Sequence, residues 1–231
     1  MSIARRRLPQ RRRAVPFEGA RRDALRKGLL LAGPASSLLY VVFTDFVAAS
    51  RWEGYRRTEQ MVSELFAVGS PGRDVLAPFT WLYTVLFTAF GVGAWLSVSG
   101  NRALRIGAGL LTAYGLWNIM GALYPLRVGD DTSIPMHILV TNVQLALMVA
   151  AMCFVAVGFR GGMRIYSIAS LAASAVMGMV AFMAAPGPNL VLGIGERISI
   201  GVFLLWVAVL AVVLWKRPSE VPAPGSKEPR P

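Results

Sequence analysis

Long apolar stretches alternate with short polar connectors along most of this chain. An α-helix rises 1.5 Å per residue, so about 20 apolar residues cross a hydrocarbon core of about 30 Å. The pattern therefore predicts six membrane-spanning helices, at residues 28–49, 75–97, 104–124, 136–159, 165–185 and 191–215. Alternating ten-residue segments, which are typical of membrane β-barrels, are not the pattern of these stretches.

The lengths of the connectors predict how the helices are arranged. All but the first connector are short, which favours antiparallel neighbours in one compact six-helix bundle. The predicted fold class is therefore an all-α polytopic membrane protein, with a transmembrane domain at residues 28–216. The basic residues 1–27 and the Pro-rich residues 217–231 are expected to be a disordered arm and a disordered tail.

The first connector, residues 50–74, has a pattern of its own. Met61, Val62, Leu65 and Phe66 recur at the spacing of one helical face, and a Gly-Ser-Pro-Gly sequence follows at residues 69–72. The connector is predicted to contain a short amphipathic helix at residues 57–68. This helix would lie on the outer membrane surface or cap the mouth of the bundle.

Composition and charge support the membrane assignment and give it an orientation. The 231 residues are 55% hydrophobic and 16% charged, whereas soluble domains have about 25% charged residues. Eighteen of the 24 Lys and Arg residues fall on the side of the two termini, so the positive-inside rule predicts cytoplasmic termini. The net charge of +12 then reflects topology, and no nucleic-acid partner is expected. The basic arm is expected to bind anionic lipid headgroups of the bilayer.

Several polar and titratable residues are predicted to meet at the outer mouth of the bundle. Charged groups near membrane depth are costly, so they usually pair and often mark a functional cavity. Glu64 is expected to pair with Arg197. The cluster is interpreted either as a ligand pocket or as a structural clasp, with these members: Asp45, Ser63, Glu64, His137, Asn142, Glu196 and Arg197.

Cofactor and metal chemistry find little support in the sequence. The chain has one cysteine, Cys153, and one histidine, His137, so neither a thiolate site nor a paired-histidine site is predicted. No cofactor, metal or catalytic residue is assigned. Asn118 and Gln144 are predicted to form hydrogen bonds between helices.

The order of several short motifs resembles the DUF998 family of bacterial and archaeal six-helix membrane proteins of unknown function. The motifs are Gly54-Tyr55, Ser63-Glu64-Leu65, Gly69 with Pro71, Tyr124-Pro125, His137, and Gly193 followed by Glu196-Arg197. Where the family often has an arginine just before Ser-Glu-Leu, this chain has Glu59. The resemblance covers about residues 28–216 and implies the six-helix fold and a bacterial inner-membrane location. It implies no activity.

Three classes of function remain open. The favoured class is a structural or accessory membrane subunit, in which the polar cluster is a clasp. The second class is a protein that binds or handles a lipid or another small amphiphile in the cluster. The third is an enzyme of the outer leaflet that uses Glu64 or Glu196 as general acid or base. The sequence does not predict an oligomeric state.

Overall fold

The computed structural model describes residues 15–127, 129–184 and 189–217, and this part of the chain is helical. Six of its helices are long and apolar enough to cross a membrane, which confirms the predicted fold class. The helices are α1 (Val15–Val41, continued by a π-helical turn, Val42–Ala48), α2 (Ala49–Arg51), α3 (Val62–Phe66), α4 (Arg73–Leu96), α5 (Arg102–Leu123), α6 (Ile134–Gly158), α7 (Gly162–Ala184) and α8 (Leu190–Trp215). A short 3₁₀ turn, Asp131–Ser133, precedes α6.

The long helices form a ring in chain order. Each of α4, α5, α6 and α7 packs against the next long helix along the chain, and α1 packs against both α4 and α8, which closes the ring. Both α2 and α3 lie at the end of the bundle where α4 begins, which we call the connector end. The opposite end, where α1 begins and α8 finishes, is called the terminal end.

The predicted spans agree with the helices except at the start of the chain. The last five predicted spans begin and end within three residues of α4, α5, α6, α7 and α8. By contrast, α1 begins at Val15, inside the arm predicted to be disordered. Asp23 forms ion pairs of 2.7 Å with both Arg26 and Lys27 one turn further on, and such pairs support a helix. Residues 1–14 and 218–231, which complete the predicted arm and tail, lie outside the described residues.

Aromatic side chains fill the centre of the ring. The rings of Phe87 and Tyr114 have centroids 4.6 Å apart, and Tyr114 in turn lies 5.2 Å from Phe203. These contacts join α4, α5 and α8. Many apolar side chains instead face outward, for example Phe182, which is 76% exposed. A soluble protein rarely exposes so much apolar surface, whereas a bilayer would cover it.

Polar side chains inside the bundle are used to connect helices. Gln144 donates a hydrogen bond of 2.9 Å to Asn118, which confirms the predicted contact between α5 and α6. Ser174 and Ser199 each donate to the backbone carbonyl oxygen of the other, over 2.9 and 2.8 Å. Such interhelical hydrogen bonds are a usual means of holding membrane helices together.

The helix predicted in the first connector is shorter than expected. Only α3, five residues long, is helical within residues 57–68, although the predicted apolar residues Val62 and Leu65 are buried. After α3 the backbone turns extended at Ala67, and the N–H of Val68 donates to the carbonyl of Leu126 over 2.7 Å. A contact with the α5–α6 connector therefore ends the helix at Phe66, before the end at residue 68 that the sequence predicts.

A buried arginine joins three helices at the terminal end. The Arg26 side chain is 4% exposed. Its guanidinium donates to the carbonyl of Leu214 over 2.9 Å, to Ser97 Oγ over 3.3 Å and to the carbonyl of Arg217 over 3.3 Å. The last carbonyls of a helix have no partner within the helix, so Arg26 satisfies the end of α8 from α1.

Candidate functional site

The most elaborate polar arrangement of the described residues lies at the connector end, around Arg197. Arg197 is on the second turn of α8, a helix whose start is capped by Asn189, which accepts from the N–H of Leu192 over 2.9 Å. Its acidic partner, Asp45, belongs to the π-helical turn that ends the first span. The i→i+5 bonding of a π-helix widens the turn, and such turns are frequent at functional sites.

The guanidinium of Arg197 is held by four residues, which belong to the first span, the connector and α8. Nε donates to Asp45 Oδ1 over 2.9 Å, and Nη2 donates to the hydroxyl of Tyr55 over 2.7 Å. Nη1 donates to the carbonyls of Gln60 and Gly193, over 2.8 and 3.2 Å. A guanidinium has five N–H donors, so four of them are engaged. The side chains of Arg197 and Asp45 are 18% and 24% exposed.

Tyr55 completes one side of this arrangement. Its hydroxyl accepts from Arg197 and donates to the carbonyl of Met61 over 2.8 Å. Burial raises the pKa of Tyr55 to about 12, so the phenol keeps its proton at neutral pH. Tyr55 therefore acts as a neutral bridge between α8 and the residue that precedes α3.

Glu196 caps α3 from outside that helix. Its Oε2 accepts from the backbone N–H of Val62 over 2.6 Å, and the N–H of Ser63 also interacts with this carboxylate. The first N–H groups of a helix have no partner within it, and Met61, at the cap position, offers no oxygen in its side chain. A carboxylate of α8 takes the place of the missing cap.

Glu64 has a different partner from the one predicted. Its Oε1 accepts from the N–H of Met61 over 2.9 Å, and its Oε2 accepts from the side-chain amide of Gln60 over 3.0 Å. The expected pairing of Glu64 with Arg197 is wrong, because Arg197 pairs with Asp45. Glu64 is the third residue of α3, and from that position its carboxylate turns back to the start of its own helix.

Two predicted members of the cluster lie elsewhere. His137 and Asn142 are on α6, which packs between α5 and α7. His137 is half-buried and Asn142 is exposed. Within the described ranges, neither residue hydrogen-bonds to Asp45, Glu64, Glu196 or Arg197. The structure thus brings together Asp45, Ser63 (through its backbone), Glu64, Glu196 and Arg197, but not these two. We call Asp45, Tyr55, Gln60, Glu64, Glu196 and Arg197 the Arg197 cluster.

The backbone of the connector lies directly on α8 beside the cluster. The N–H of Asn189 donates to the carbonyl of Glu59 over 3.0 Å. A Cβ atom at Gly193 would collide with the backbone of Thr58, so this close approach requires glycine. Tyr55 and Gly193 were not among the predicted site residues, although both belong to the motifs that carry the family resemblance.

The chemistry available in the Arg197 cluster is that of an ion pair with hydrogen bonds. Its two glutamates are occupied by backbone N–H groups, and its arginine by four protein acceptors. Among the described residues, no group of three or more His, Cys, Asp or Glu side chains is arranged to hold a metal ion.

Comparison with known proteins gives a family and no activity. Neither a curated protein nor a solved structure matches the chain. The family model described as "Protein of unknown function (DUF998)" matches residues 34–213, which include all six long helices in part or in full. The chain, a helical protein with six candidate membrane spans, therefore belongs to the DUF998 family.

Proposed function

We propose that this protein is a structural or accessory membrane subunit, and that the Arg197 cluster is the clasp that closes the connector end of its bundle. The observation that carries this proposal is the engagement of four Arg197 donors by Asp45, Tyr55, Gln60 and Gly193. A site built to bind a ligand would leave such donors available. Here they tie the first span, the connector and the last span together.

The capping of α3 supports the same interpretation. A five-residue helix has little stability of its own, because the first turn of a helix is costly to form. Glu196 and Glu64 both accept from N–H groups at its start, and Val62 and Leu65 are buried beneath it. The glutamates therefore hold the connector in place on the bundle.

We also propose that the protein lies in the inner membrane of a bacterium with both termini in the cytoplasm. Support comes from the charges, since eighteen of the 24 Lys and Arg residues belong in sequence to the two terminal segments or lie near the α4–α5 and α6–α7 turns. Fusion of a fluorescent protein or of alkaline phosphatase to the C-terminus tests the orientation. Fluorescence without phosphatase activity is expected, and the reverse result would overturn the orientation.

A second candidate function is the binding of a lipid or another small amphiphile at the Arg197 cluster. The observation that favours it is the π-helical turn, Val42–Ala48, which presents Asp45. Turns of this kind are frequent at functional sites. In this account the connector would swing away and a ligand would replace it as the partner of Arg197.

Two measurements on the full chain in nanodiscs distinguish the two functions. Native mass spectrometry identifies the bound molecules, and thermal unfolding of the same samples reports stability. The variant is Asp45→Asn, and Glu53→Gln is the control because Glu53 is an exposed acid of the connector that follows the first span. For a clasp, Asp45→Asn unfolds at lower temperature and its bound molecules match those of the wild type. A specific small molecule that is lost from an equally stable Asp45→Asn would overturn the clasp.

A further inference from the structure

A cleft lined by two arginines lies at the terminal end, which is the opposite end of the bundle from the Arg197 cluster. Its volume is about 390 Å³, and it is lined by Trp95, Gly100, Arg102, Arg105 and Ile106. Ligand pockets usually have volumes of about 300–1,000 Å³. The cleft occupies the turn between α4 and α5, where two candidate spans end at the same side of the bundle.

The charges of this cleft are unbalanced. Arg102 and Arg105 are three residues apart on the first turns of α5, so they share one face of the helix. No carboxylate lines the cleft, and in the described part of the chain neither arginine forms an ion pair. Elsewhere in the bundle, the buried Arg26 and the half-buried Arg197 each have an acidic partner.

An aromatic side chain orders one of these arginines. The guanidinium carbon of Arg105 lies 4.9 Å from the centroid of the Trp95 ring, which is within the range of a cation–π contact. This contact leaves the N–H donors of Arg105 free for an anion. Planar guanidinium groups suit phosphate oxygens because they offer paired donors.

Apolar surface continues from the charged part of the cleft along the outside of α4. Trp95 is 41% exposed and Leu96 is 52% exposed, and both belong to the last turn of a candidate span. A molecule that fits this cleft therefore has an anionic group for the two arginines and an apolar group for Trp95 and Leu96. Tryptophan at the end of a span is also typical of the headgroup layer of a membrane.

We propose that this cleft binds an anionic phospholipid of the leaflet at the terminal end. Its phosphate lies between Arg102 and Arg105, and its acyl chains run along the exposed face of Trp95 and Leu96. None of the lining residues belongs to the N-terminal arm, and the proposal does not depend on the role of the Arg197 cluster. A phosphate group is shared by lipids and by soluble metabolites, and the apolar continuation favours the lipid.

The test is a titration of the purified full chain, in mild detergent, with phosphatidylglycerol, followed by native mass spectrometry. The variant is Arg102→Gln/Arg105→Gln, and its matched control is Arg160→Gln/Arg164→Gln. The control removes two exposed arginines from the same end of the bundle, outside the cleft. Equal elution volumes and equal helical circular dichroism check that both variants fold, and the two single cleft variants serve if the double variant does not.

The expected result is an apparent affinity for the first bound phosphatidylglycerol that falls about tenfold or more in the cleft variant, since hydrogen bonds to charged groups are lost. The control variant should stay within about twofold of the wild type, because surface charge alone is a weak and screened contribution. Equal losses in both variants would overturn the proposal, as would equal binding of phosphatidylcholine. Displacement of the lipid by glycerol 3-phosphate at the same concentration would assign the cleft to soluble phosphates instead.

Discussion

Arg197 of the last span donates to Asp45 of the first span over 2.9 Å, although the two residues are 152 positions apart in the chain. The ion pair closes the ring of helices at the connector end, where α8 meets the end of α1. Tyr55 and Gln60 bring the connector into the same set of contacts. One arginine therefore links three parts of the chain that are distant in sequence.

Loss of the Arg197 guanidinium should destabilise the bundle. In Arg197→Gln, Asp45 would remain as a largely buried carboxylate without its partner, at a cost of about 2–3 kcal/mol, below the 3–5 kcal/mol of a fully buried pair. For a chain of this size the thermal midpoint should fall by roughly 4–12 °C. Differential scanning fluorimetry in detergent checks this, with the exposed Arg51→Gln as control. An unchanged midpoint would mean that the ion pair contributes nothing to stability.

Loss of the cap on α3 should open the connector without unfolding the bundle. In Glu196→Ala the N–H of Val62 loses the carboxylate that accepts from it over 2.6 Å, and the loss of a helix cap costs about 1 kcal/mol. Hydrogen exchange in residues 57–68 should therefore become faster by about fivefold, while exchange in α5 stays the same. Glu53→Ala, an exposed acid of the connector, should leave both rates unchanged. Uniform acceleration across all helices would show that Glu196 stabilises the whole bundle instead.

Gly193 should be intolerant of even a methyl group. In Gly193→Ala the new Cβ would meet the backbone of Thr58, whereas Gly201 on the same helix has open space around it. The first variant should displace the connector and lower the thermal midpoint, and Gly201→Ala should raise it slightly or leave it unchanged, since alanine favours a helix. Limited proteolysis of the connector, run on both variants, reports the displacement. Equal cleavage in both would contradict the close contact.

Arg26 should be as important at the terminal end as Arg197 is at the connector end. Arg26→Gln removes the charged donor from the carbonyls of Leu214 and Arg217, and hydrogen bonds to a charged group contribute about 1.5–3 kcal/mol. We expect a lower thermal midpoint and faster proteolysis near the end of α8. The control is Arg22→Gln, an exposed arginine one turn earlier in α1, which should behave as the wild type does. If the two variants have the same midpoint, the Arg26 contacts are dispensable.

Tyr55 should make the stability of the protein fall at alkaline pH. Burial raises its pKa to about 12 in the folded protein, above the value of about 10 in an unfolded chain. The stability from neutral Tyr55 is therefore fully present below about pH 10 and is lost as the pH rises toward about 12. The difference in thermal midpoint between wild type and Tyr55→Phe should shrink over this range. A difference that stays constant from pH 9 to 12 would show that Tyr55 does not titrate with the connector in place.

The spans could be predicted from sequence because a bilayer imposes a simple rule on composition. Any helix that crosses it needs about 20 apolar residues whatever its neighbours are, so α4 to α8 lie close to their predicted positions. The connector follows no such rule. Its short helix begins where Glu196 caps Val62, 134 positions away, and it ends where Val68 meets Leu126.

The sequence predicted how far along the bundle axis each site residue lies. It did not predict which helices are neighbours around the ring. Asp45, His137 and Arg197 were all expected near the same mouth of the bundle, since each lies close to the end of a span. The order of helices places α6 between α5 and α7, so His137 and Asn142 belong to a different part of the ring. The resemblance to the family contained Tyr55 and Gly193 in its motifs, and only the structure shows that both accept hydrogen bonds from Arg197.

A double-mutant cycle with Asp45→Asn and Arg197→Gln tests the clasp most directly. The unfolding free energies of the wild type, both single variants and the double variant are measured in the same detergent. If the ion pair is the clasp, the double variant loses less than the sum of the single losses, with a coupling energy of about 1–3 kcal/mol. Losses that simply add, with no coupling, would contradict the account and remove the ion pair as the element that closes the connector end.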